Sequence, residues 1–340
     1  MRKGFIAVAA VLAAAAVFFY CRYTRPVHII AAGDILLDRG VNKYLEEKGY
    51  DYPYESVKKV ITEGDIAVAN LECPLTDGGS PVFKRPELIF KGSRLNGSAL
   101  KRAGFDILNL ANNHTMDQGS EGLLDTMKVL ESSGIRCFGA GANRNEARRP
   151  VFIKKGNIRI GFLGYSNFPP EGYIFHEDKA DVARPDMKTI GEEVEAAREQ
   201  CDFLLVSFHW GKEFDDYPSE MQREMAHATI ERGADIIIGH HPHVLQSVEE
   251  YKGKLIFYSL GNFVFDRQLP EGTDESVIID ITVDRSGWKK ARIVPVGIAD
   301  CRPVILQGEA AVLVLDRLKY SSKDHGAEID ITEGIGYISR

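Results

Sequence analysis

The sequence has few cysteines, and their spacing predicts no pairing. Five cysteines are spread over 340 residues, and no two of them form a Cys-x-x-Cys pair. An odd number of scattered cysteines argues against a disulfide framework, and the missing Cys-x-x-Cys spacing argues against a zinc ribbon. The five are Cys21, Cys73, Cys137, Cys201 and Cys301.

The chain also lacks an excess of positive charge. Its 42 Lys and Arg residues are outnumbered by 49 Asp and Glu residues, which gives a formal net charge of -7. No basic cluster interleaved with aromatic residues is present. Because nucleic-acid binding depends on neutralising phosphates, this balance argues against a nucleic-acid partner. Internal repeats and low-complexity linkers are missing too, so the length allows one large domain or two modest ones.

The N-terminal residues have the composition of a targeting segment. Arg2 and Lys3 precede an apolar run from residue 4 to residue 20, rich in Ala, Val and Phe. A positive start followed by an apolar core is typical of a secretory signal, and about 17 residues is the lower limit for spanning a bilayer. Bulky residues before Cys21 make a poor lipoprotein cleavage site, and an all-round apolar run disfavours a buried amphipathic helix. We predict an uncleaved signal anchor over residues 1–25, a single-pass transmembrane helix in the cell membrane that leaves the rest of the chain extracytoplasmic.

Three histidines follow a strongly apolar run in the second half of the chain. Residues 236–238 are three isoleucines without a polar face, as in a central strand covered on both sides. The run stops at Gly239, and His240, His241 and His243 follow it. Histidine is the commonest neutral metal ligand, and loops at the carboxyl ends of central strands are where open α/β sheets bind ligands.

Metal-competent side chains also follow four other strand-like runs. Each has an ordinary structural explanation alone, but five such strand ends are hard to attribute to coincidence. Carboxylate, amide and imidazole groups without thiolates suit divalent Mn, Fe, Zn or Mg. In the third group an amide ligand, an imidazole acid and an orienting carboxylate would come together. The side chains are Asp34, then Asn70 and Glu72, then Asn113, His114 and Asp117, and finally His209.

The C-terminal part changes character after residue 266. Alternating runs at 276–283 and 289–296 predict an antiparallel hairpin. A helix is predicted over residues 310–320, and the polar residues 321–340 favour a partly unordered tail. The predicted organisation is a main domain over residues 26–310 and a C-terminal helix and tail over residues 311–340.

The motif series resembles the CapA family, the PgsA-type poly-γ-glutamate capsule biosynthesis proteins. The resemblance runs in order from about residue 29 to residue 266. It implies an α/β (α+β) fold of the calcineurin-like metallophosphoesterase type, a four-layer β-sandwich flanked by helices, and a membrane-anchored, outward-facing domain. The motifs are Gly33-Asp34, Asn70-Leu-Glu-Cys-Pro-Leu-Thr76, Ala111-Asn-Asn-His-Thr-Met-Asp-Gln-Gly119, His209-Trp-Gly211, Gly239-His-His-Pro-His-Val-Leu-Gln246 and Tyr258-Ser-Leu-Gly-Asn-Phe-Val-Phe265.

The resemblance also implies roles for individual residues. His114 would be the general acid, with Asp117 as its catalytic partner, and Glu72 would be the carboxylate that bridges two ions. Leu36 stands where the family pattern of the fold expects an imidazole, so one or two divalent ions are expected. The implied metal ligands are Asp34, Glu72, Asn113, His209, His241 and His243. The residues expected to support the centre or contact substrate are Arg39, Asn70, Asn112, His240 and Asn262.

Two functions remain open on these residues. The first is metal-assisted hydrolysis of a phosphoester or a γ-glutamyl amide, with poly-γ-glutamate or another anionic polymer as substrate. Lys212 and the pair Arg148-Arg149 are further candidates for holding the anion. The second is a non-catalytic polymer-binding or scaffolding subunit of a membrane synthase and export complex.

Overall fold

Strands dominate the part of the chain that can be described. The computed structural model describes residues 25–175, 178–186, 189–266 and 269–340. The predicted signal anchor lies outside the described residues, apart from its last position. Across the described ranges no helix combines the length and the apolar character needed to cross a membrane.

Eighteen strands are present in the described ranges. They are β1 Val27–Ile35, β2 Ile66–Leu71, β3 Ile107–Asn109, β4 Arg136–Phe138, β5 Ala140–Gly141, β6 Val151–Lys155, β7 Ile158–Ser166, β8 Asp181–Val182, β9 Phe203–His209, β10 Ile236–His240, β11 Val248–Tyr251, β12 Lys254–Phe257, β13 Asn262–Val264, β14 Glu275–Asp284, β15 Gly287–Ala299, β16 Arg302–Ile305, β17 Asp330–Thr332 and β18 Ile335–Ser339.

The helices have sequence signals at some of their ends. Ser219 and Gln222 form a capping box before the seventh helix, which satisfies backbone N–H groups that the helix leaves free. Gly104 ends the third helix in the left-handed conformation, with a φ of 113°. In the described residues the helices are α1 Arg39–Lys48, α2 Lys58–Glu63, α3 Leu95–Ala103, α4 Gly119–Ser132, α5 Arg144–Ala147, α6 Thr189–Arg198, α7 Glu220–Glu231 and α8 Gly308–Ser322.

Most strands belong to two sheets. The ten-stranded sheet has the order β17-β18-β15-β14-β1-β2-β3-β4, with β13 beside β1 and β16 beside β15. The six-stranded sheet has the order β11-β12-β10-β9-β7-β6. The strands β1, β2, β3 and β4 run parallel to their neighbours in that series, and so do β7, β9, β10 and β12. Parallel strands end together, so each sheet presents a row of carboxyl ends.

Alternate residues of the central strands enter different hydrophobic cores. In β1, Ile29 and Ala31 join one cluster and Ile30 joins another. In β10, Ile236 shares the cluster of Ile29, whereas Ile237 joins a third cluster with α6 and α7. The shared cluster therefore lies between the two sheets, and the other two lie on their outer faces. This mixed α/β fold, built on two packed sheets, agrees with the fold class predicted from the sequence.

The C-terminal residues are more ordered than the sequence suggested. The polar composition after residue 320 favoured a partly unordered tail, but the structure has strands β17 and β18 there. Strand β18 pairs antiparallel with β15 and places Ile338 in the cluster between the sheets. Helix α8 adds Val314, Leu315 and Leu318 to the same cluster. The prediction of a loose tail was wrong because tertiary pairing, rather than local composition, orders these residues.

Candidate metal centre

The polar strand ends of the two sheets meet at one place. Asp34 is the penultimate residue of β1, Glu72 follows β2, and His114 follows β3 after a short loop. From the other sheet, His209 ends β9 and His241 follows β10. These five side chains are buried, with Asp34, Glu72 and His209 fully excluded from solvent. The structure therefore brings residues from five separate parts of the sequence into one buried cluster between the sheets.

Two glycines allow the strands to approach at this cluster. A Cβ atom on Gly33 would lie 2.1 Å from the carbonyl oxygen of Gly261, and one on Gly239 would lie 1.9 Å from that of Tyr258. Both distances are far below any real contact, so no larger residue fits without a shift of the backbone. The backbone N–H of Asp34 donates to Gly261 O at 3.1 Å. The close packing thus fixes the position of the first carboxylate.

Asp34 accepts hydrogen bonds from both sheets. Its Oδ1 accepts from Asn70 Nδ2 at 2.9 Å and lies 3.0 Å from His240 Nδ1. Its Oδ2 accepts from the backbone N–H of His241 at 3.1 Å. Burial alone would raise the pKa of Asp34, but its contact with His240 and the nearby charge of His243 hold the pKa below its usual value. Asp34 is therefore held as a carboxylate.

Glu72, unlike Asp34, is buried without hydrogen-bond donors around its carboxylate. Neither carboxylate oxygen of Glu72 has a hydrogen-bond partner, although both are buried. Its Oε1 lies 3.8 Å from His209 Nε2 and 3.8 Å from His243 Nε2. Burial, followed by the charges of Asp34 and Glu213, raises the pKa of Glu72 well above its usual value. A buried, unpartnered carboxylate is costly, and a cation is the ligand that would relieve it.

The donor set around Glu72 fits divalent cations. Two groups of three side chains place their ligand atoms within 4.8 Å of one another, namely Glu72 with His241 and His243, and Glu72 with Asp34 and His209. Glu72 is common to both groups. Carboxylate and imidazole donors without a thiolate are the ligands expected for Mn, Fe, Zn or Mg.

The histidines are prepared to act as neutral ligands. Burial lowers the pKa of His209 well below its usual value and that of His241 to about 3, with neighbouring imidazoles adding to both effects. His241 has a φ of 94° and His243 a φ of 59°. Non-glycine residues seldom adopt these angles, and such strain is concentrated at functional sites. The ring of Phe168 covers His241 at a centroid distance of 4.2 Å.

Two asparagines orient candidate ligands through hydrogen bonds. Asn70 Oδ1 accepts from Asn109 and Asn112, each at 3.1 Å, so Asn70 turns its amide nitrogen toward Asp34. Asn262 Nδ2 donates to backbone carbonyls, which leaves its Oδ1 to accept from His243 Nδ1 at 2.9 Å. His243 then carries its proton on Nδ1 and turns Nε2 toward Glu72.

Asn113 and His240 take different places in the cluster. Asn113 Oδ1 lies 2.8 Å from His209 Nε2, so this predicted ligand is beside the second group of three. His240 contacts Asp34 rather than joining either group, in line with a supporting role.

The predicted acid and its partner lie beside the ligands. His114 Nδ1 is 2.9 Å from Asp117 Oδ2, and burial lowers the pKa of His114 below its usual value, opposed by Asp117. Phe90 stacks on the His114 ring at 4.0 Å. Lys84 Nζ reaches Asp117 Oδ1 at 2.5 Å and is almost fully buried. Sequence reasoning missed Lys84, Phe90 and Phe168, because they come from loops without any periodic pattern.

Among the cations proposed to hold the substrate, Arg39 lies close enough for its charge to act on Glu72. It pairs with Asp266, and its guanidinium lies 4.9 Å from the Phe90 ring and 5.5 Å from the Phe265 ring. Its charge also lowers the pKa of Glu72, against the effect of burial. The other candidates are engaged elsewhere. Lys212 is exposed and pairs with Asp215.

Arg148, of the Arg148-Arg149 pair, also makes its contacts away from this centre. Arg148 donates to Glu193, Thr189 and the carbonyl of Arg184. Its guanidinium is therefore used to hold α6 in place, and the sequence prediction of an anion-holding role has no support in these contacts.

The chain is similar to known capsule biosynthesis proteins. Residues 28–267 match the family model described as bacterial capsule synthesis protein PGA_cap. The chain is 33% identical over 272 residues to the PGA biosynthesis protein CapA of Bacillus subtilis, covering 80% of this chain and 71% of that protein. It is also 33% identical over 277 residues to the capsule biosynthesis protein CapA of Bacillus anthracis, covering 80% of this chain and 67% of that protein.

A solved structure shows a weaker likeness. The calcineurin-like phosphoesterase YfkN from Bacillus subtilis is 14% identical, with a TM-score of 0.45, covering 83% of this chain and 88% of that chain. This likeness is too low to transfer a site or an activity.

Proposed function

The chain belongs to the PGA_cap family of bacterial capsule synthesis proteins, and from that premise we propose that it is a metal-dependent hydrolase of poly-γ-glutamate metabolism. The family acts in poly-γ-glutamate capsule biosynthesis. The proposed step is cleavage of a γ-glutamyl amide or a phosphoester during synthesis, export or processing of the polymer. The apolar run at residues 4–20 supports anchoring in the cell membrane, with the domain on the extracytoplasmic side.

The observation that carries this proposal is the state of Glu72. Its two oxygens are buried without hydrogen bonds, and it belongs to both groups of candidate ligands. A structural glutamate would be expected to have donors around it, as Glu249 has from Tyr258 and His227. Glu72 instead lies 3.8 Å from an imidazole nitrogen of His209 and 3.8 Å from one of His243. Glu72 would therefore be a ligand in both groups, with His241 and His243 as its partners in one and Asp34 and His209 in the other.

The surrounding residues supply the rest of the chemistry. Divalent ions bound there would polarise the scissile group and neutralise developing charge. His114 would exchange a proton with the leaving group through Nε2, because Nδ1 is held by Asp117. Arg39, fixed between two aromatic rings, would hold a carboxylate or phosphate of the polymer. Phe90 and Phe168 cover the imidazoles and limit the access of water.

The same proposal includes the fold type. Two packed sheets with helices on both outer faces support a four-layer β-sandwich of the metallophosphoesterase type. Ligands at the carboxyl ends of parallel strands in both sheets are consistent with that arrangement.

A second candidate function follows from Leu36. This residue occupies the position two after Asp34 and is fully buried among apolar side chains, so it supplies no imidazole to the centre. A centre with fewer ligands on one side favours a domain that binds the polymer through a single ion without cleaving it. The chain would then be a polymer-binding or scaffolding subunit of a synthase and export complex.

Metal content and turnover separate the two functions. The full chain, purified in detergent, is loaded with Mn²⁺, and its metal content is measured together with hydrolysis of p-nitrophenyl phosphate and shortening of poly-γ-glutamate. The hydrolase function predicts turnover that the double variant Asn113→Ala/His241→Ala abolishes. His227→Ala is the matched control, because His227 pairs with Glu249 away from the centre. Polymer binding without turnover would favour the scaffold, and the absence of bound metal would refute the hydrolase.

A further inference from the structure

A loop over residues 77–91, here named the strap segment, is fastened to the residues that support His114. Ser80 N donates to Gln118 O, and Val82 N donates to Asp117 O. Phe90 N donates to Asp117 Oδ2, and Gln118 Nε2 donates back to Phe90 O. Lys84 adds a fifth hydrogen bond through its side chain. The strap segment therefore meets α4 at its N-terminal end, beside the proposed acid.

Lys84 is buried in an unusual setting for a lysine. Its side chain is only 6% exposed, and its Nζ lies 2.5 Å from Asp117 Oδ1 and 3.3 Å from His114 Nδ1. Lysine is rarely buried to this degree, because desolvation of the ammonium is costly. Asp117 is 1% exposed, so the two opposite charges are enclosed together. Such a pair needs a reason other than net stability.

The hydrogen-bond directions show what the pair does. An ammonium has donors and no acceptor, so Lys84 cannot accept from His114. Asp117 accepts on Oδ1 from Lys84 and on Oδ2 from Phe90 N and His114 Nδ1. With both oxygens occupied, the carboxylate cannot turn away from the imidazole. His114 then keeps a proton on Nδ1, and Nε2 is the nitrogen left to exchange a proton with a substrate.

We propose that Lys84 is a positioning residue that locks Asp117 toward His114 and so fixes the tautomer of the proposed acid. The proposal rests on the proposed hydrolase function for its catalytic consequence, although the tautomer itself is a property of the chain alone. Lys84 is not a substrate ligand, because its ammonium is buried and already donates to Asp117. Lys84 does more than hold the strap segment in place, because four other hydrogen bonds join that segment to residues 117 and 118.

The test compares two lysines of the strap segment. Lys84→Met removes the buried ammonium, and Lys84→Arg keeps the charge. Lys91→Met is the matched control, since the Lys91 side chain is exposed and its ammonium donates to the Asp77 carbonyl rather than to Asp117. Each full-length protein is labelled with ¹⁵N-histidine, and the His114 ring is assigned with His114→Gln. Long-range ¹H–¹⁵N spectra then report which ring nitrogen carries the proton, alongside Mn²⁺ content, kcat and KM.

The expected outcome is specific to Lys84. The wild type and Lys91→Met give one Nδ1–H signature for His114, which Lys84→Met loses and Lys84→Arg at least partly restores. Mn²⁺ content stays at the wild-type level, KM changes by less than about 2-fold, and kcat falls by about 10- to 100-fold, within the range of general acid catalysis. Should the Met variant unfold, Lys84→Gln, which removes the charge and keeps a neutral amide donor group, takes its place.

Two results would overturn the proposal. One is a Lys84→Met spectrum identical to the wild type in the His114 signals. The other is an equal change in those signals for Lys84→Met and Lys91→Met, which would mean a general loosening of the strap segment. If the wild type turns over no substrate, the hydrolase function fails, but the spectra still decide the role of Lys84.

Discussion

The variant Glu72→Gln should be more stable than wild type when no metal is bound. When metal is bound, the variant should be less stable than wild type. Glu72 is fully buried, and neither oxygen has a donor. An unsatisfied buried polar group costs about 1–3 kcal/mol, and more if it is charged. Removing the carboxylate should therefore raise the free energy of unfolding of the metal-free protein by about 1–3 kcal/mol. For a chain of this size, that corresponds to a rise in Tm of roughly 2–6 °C.

When metal is bound, the order of stability of the two proteins should reverse. A ligand at about 100 times its Kd stabilises the native state by about 2.7 kcal/mol. Glu72→Gln removes a ligand common to both groups, so Mn²⁺ should stabilise wild type and leave the variant nearly unchanged. The two proteins should exchange their order of Tm between chelator and Mn²⁺, as measured by scanning calorimetry of the full chain.

The pH dependence adds a check with a definite sign. Because the folded-state pKa of Glu72 is raised, folding is penalised as pH rises above its ordinary value of about 4.5, until the folded-state pKa is reached. The advantage of Glu72→Gln in chelator should grow from about pH 5 upward. Glu249→Gln is the matched control, since that buried glutamate accepts from Tyr258 and His227 and should lose stability in both conditions. A lower Tm for Glu72→Gln in chelator would refute this reasoning.

Three further outcomes are expected. Binding of Mn²⁺ should release protons from Glu72, whose pKa is raised by burial; titration heats that do not vary with the ionisation enthalpy of the buffer would contradict this. Gly33→Ala should lower the unfolding free energy by about 1–3 kcal/mol or more and reduce Mn²⁺ content, because its Cβ would lie 2.1 Å from Gly261 O. Gly191→Ala is the control for Gly33→Ala in urea titrations. An equal loss of unfolding free energy in the two variants would contradict the prediction for Gly33. The pKa of His241 is lowered to about 3, so metal-free stability should fall as pH drops below about 6.5. His241→Gln should flatten that acid-side slope, and an unchanged slope would exclude this residue as its source.

Much of the centre could be predicted because its residues share one structural rule. Side chains at the carboxyl ends of parallel strands meet at one edge of a sheet. Asp34 and Glu72 follow apolar runs of sequence, which predict where the strands end. The same holds for His209 and His241 in the second sheet. That rule predicts membership of the cluster without any knowledge of how the sheets pack.

The partners of those residues could not be predicted in the same way. Lys84 and Phe90 lie on an irregular loop, and their contacts with Asp117 and His114 depend on the path of that loop. Asn70 is predicted to lie near the ligands because it comes at the end of the same strand-like run as Glu72. Its amide is turned toward Asp34 only because two other asparagines occupy its oxygen. Such orientations come from three-dimensional hydrogen-bond networks, which no local pattern encodes.

Asp34 also has a consequence for the kinetics of folding. It belongs to one sheet and accepts a backbone hydrogen bond from His241, 207 residues later, at the end of a strand in the other. Contacts this distant in sequence close large loops and are expected to form after the local ones. Substitutions at Asp34 should then speed unfolding while leaving the refolding rate almost unchanged. A cation bound between the sheets would have the opposite effect, slowing unfolding and lengthening the lifetime of the native state.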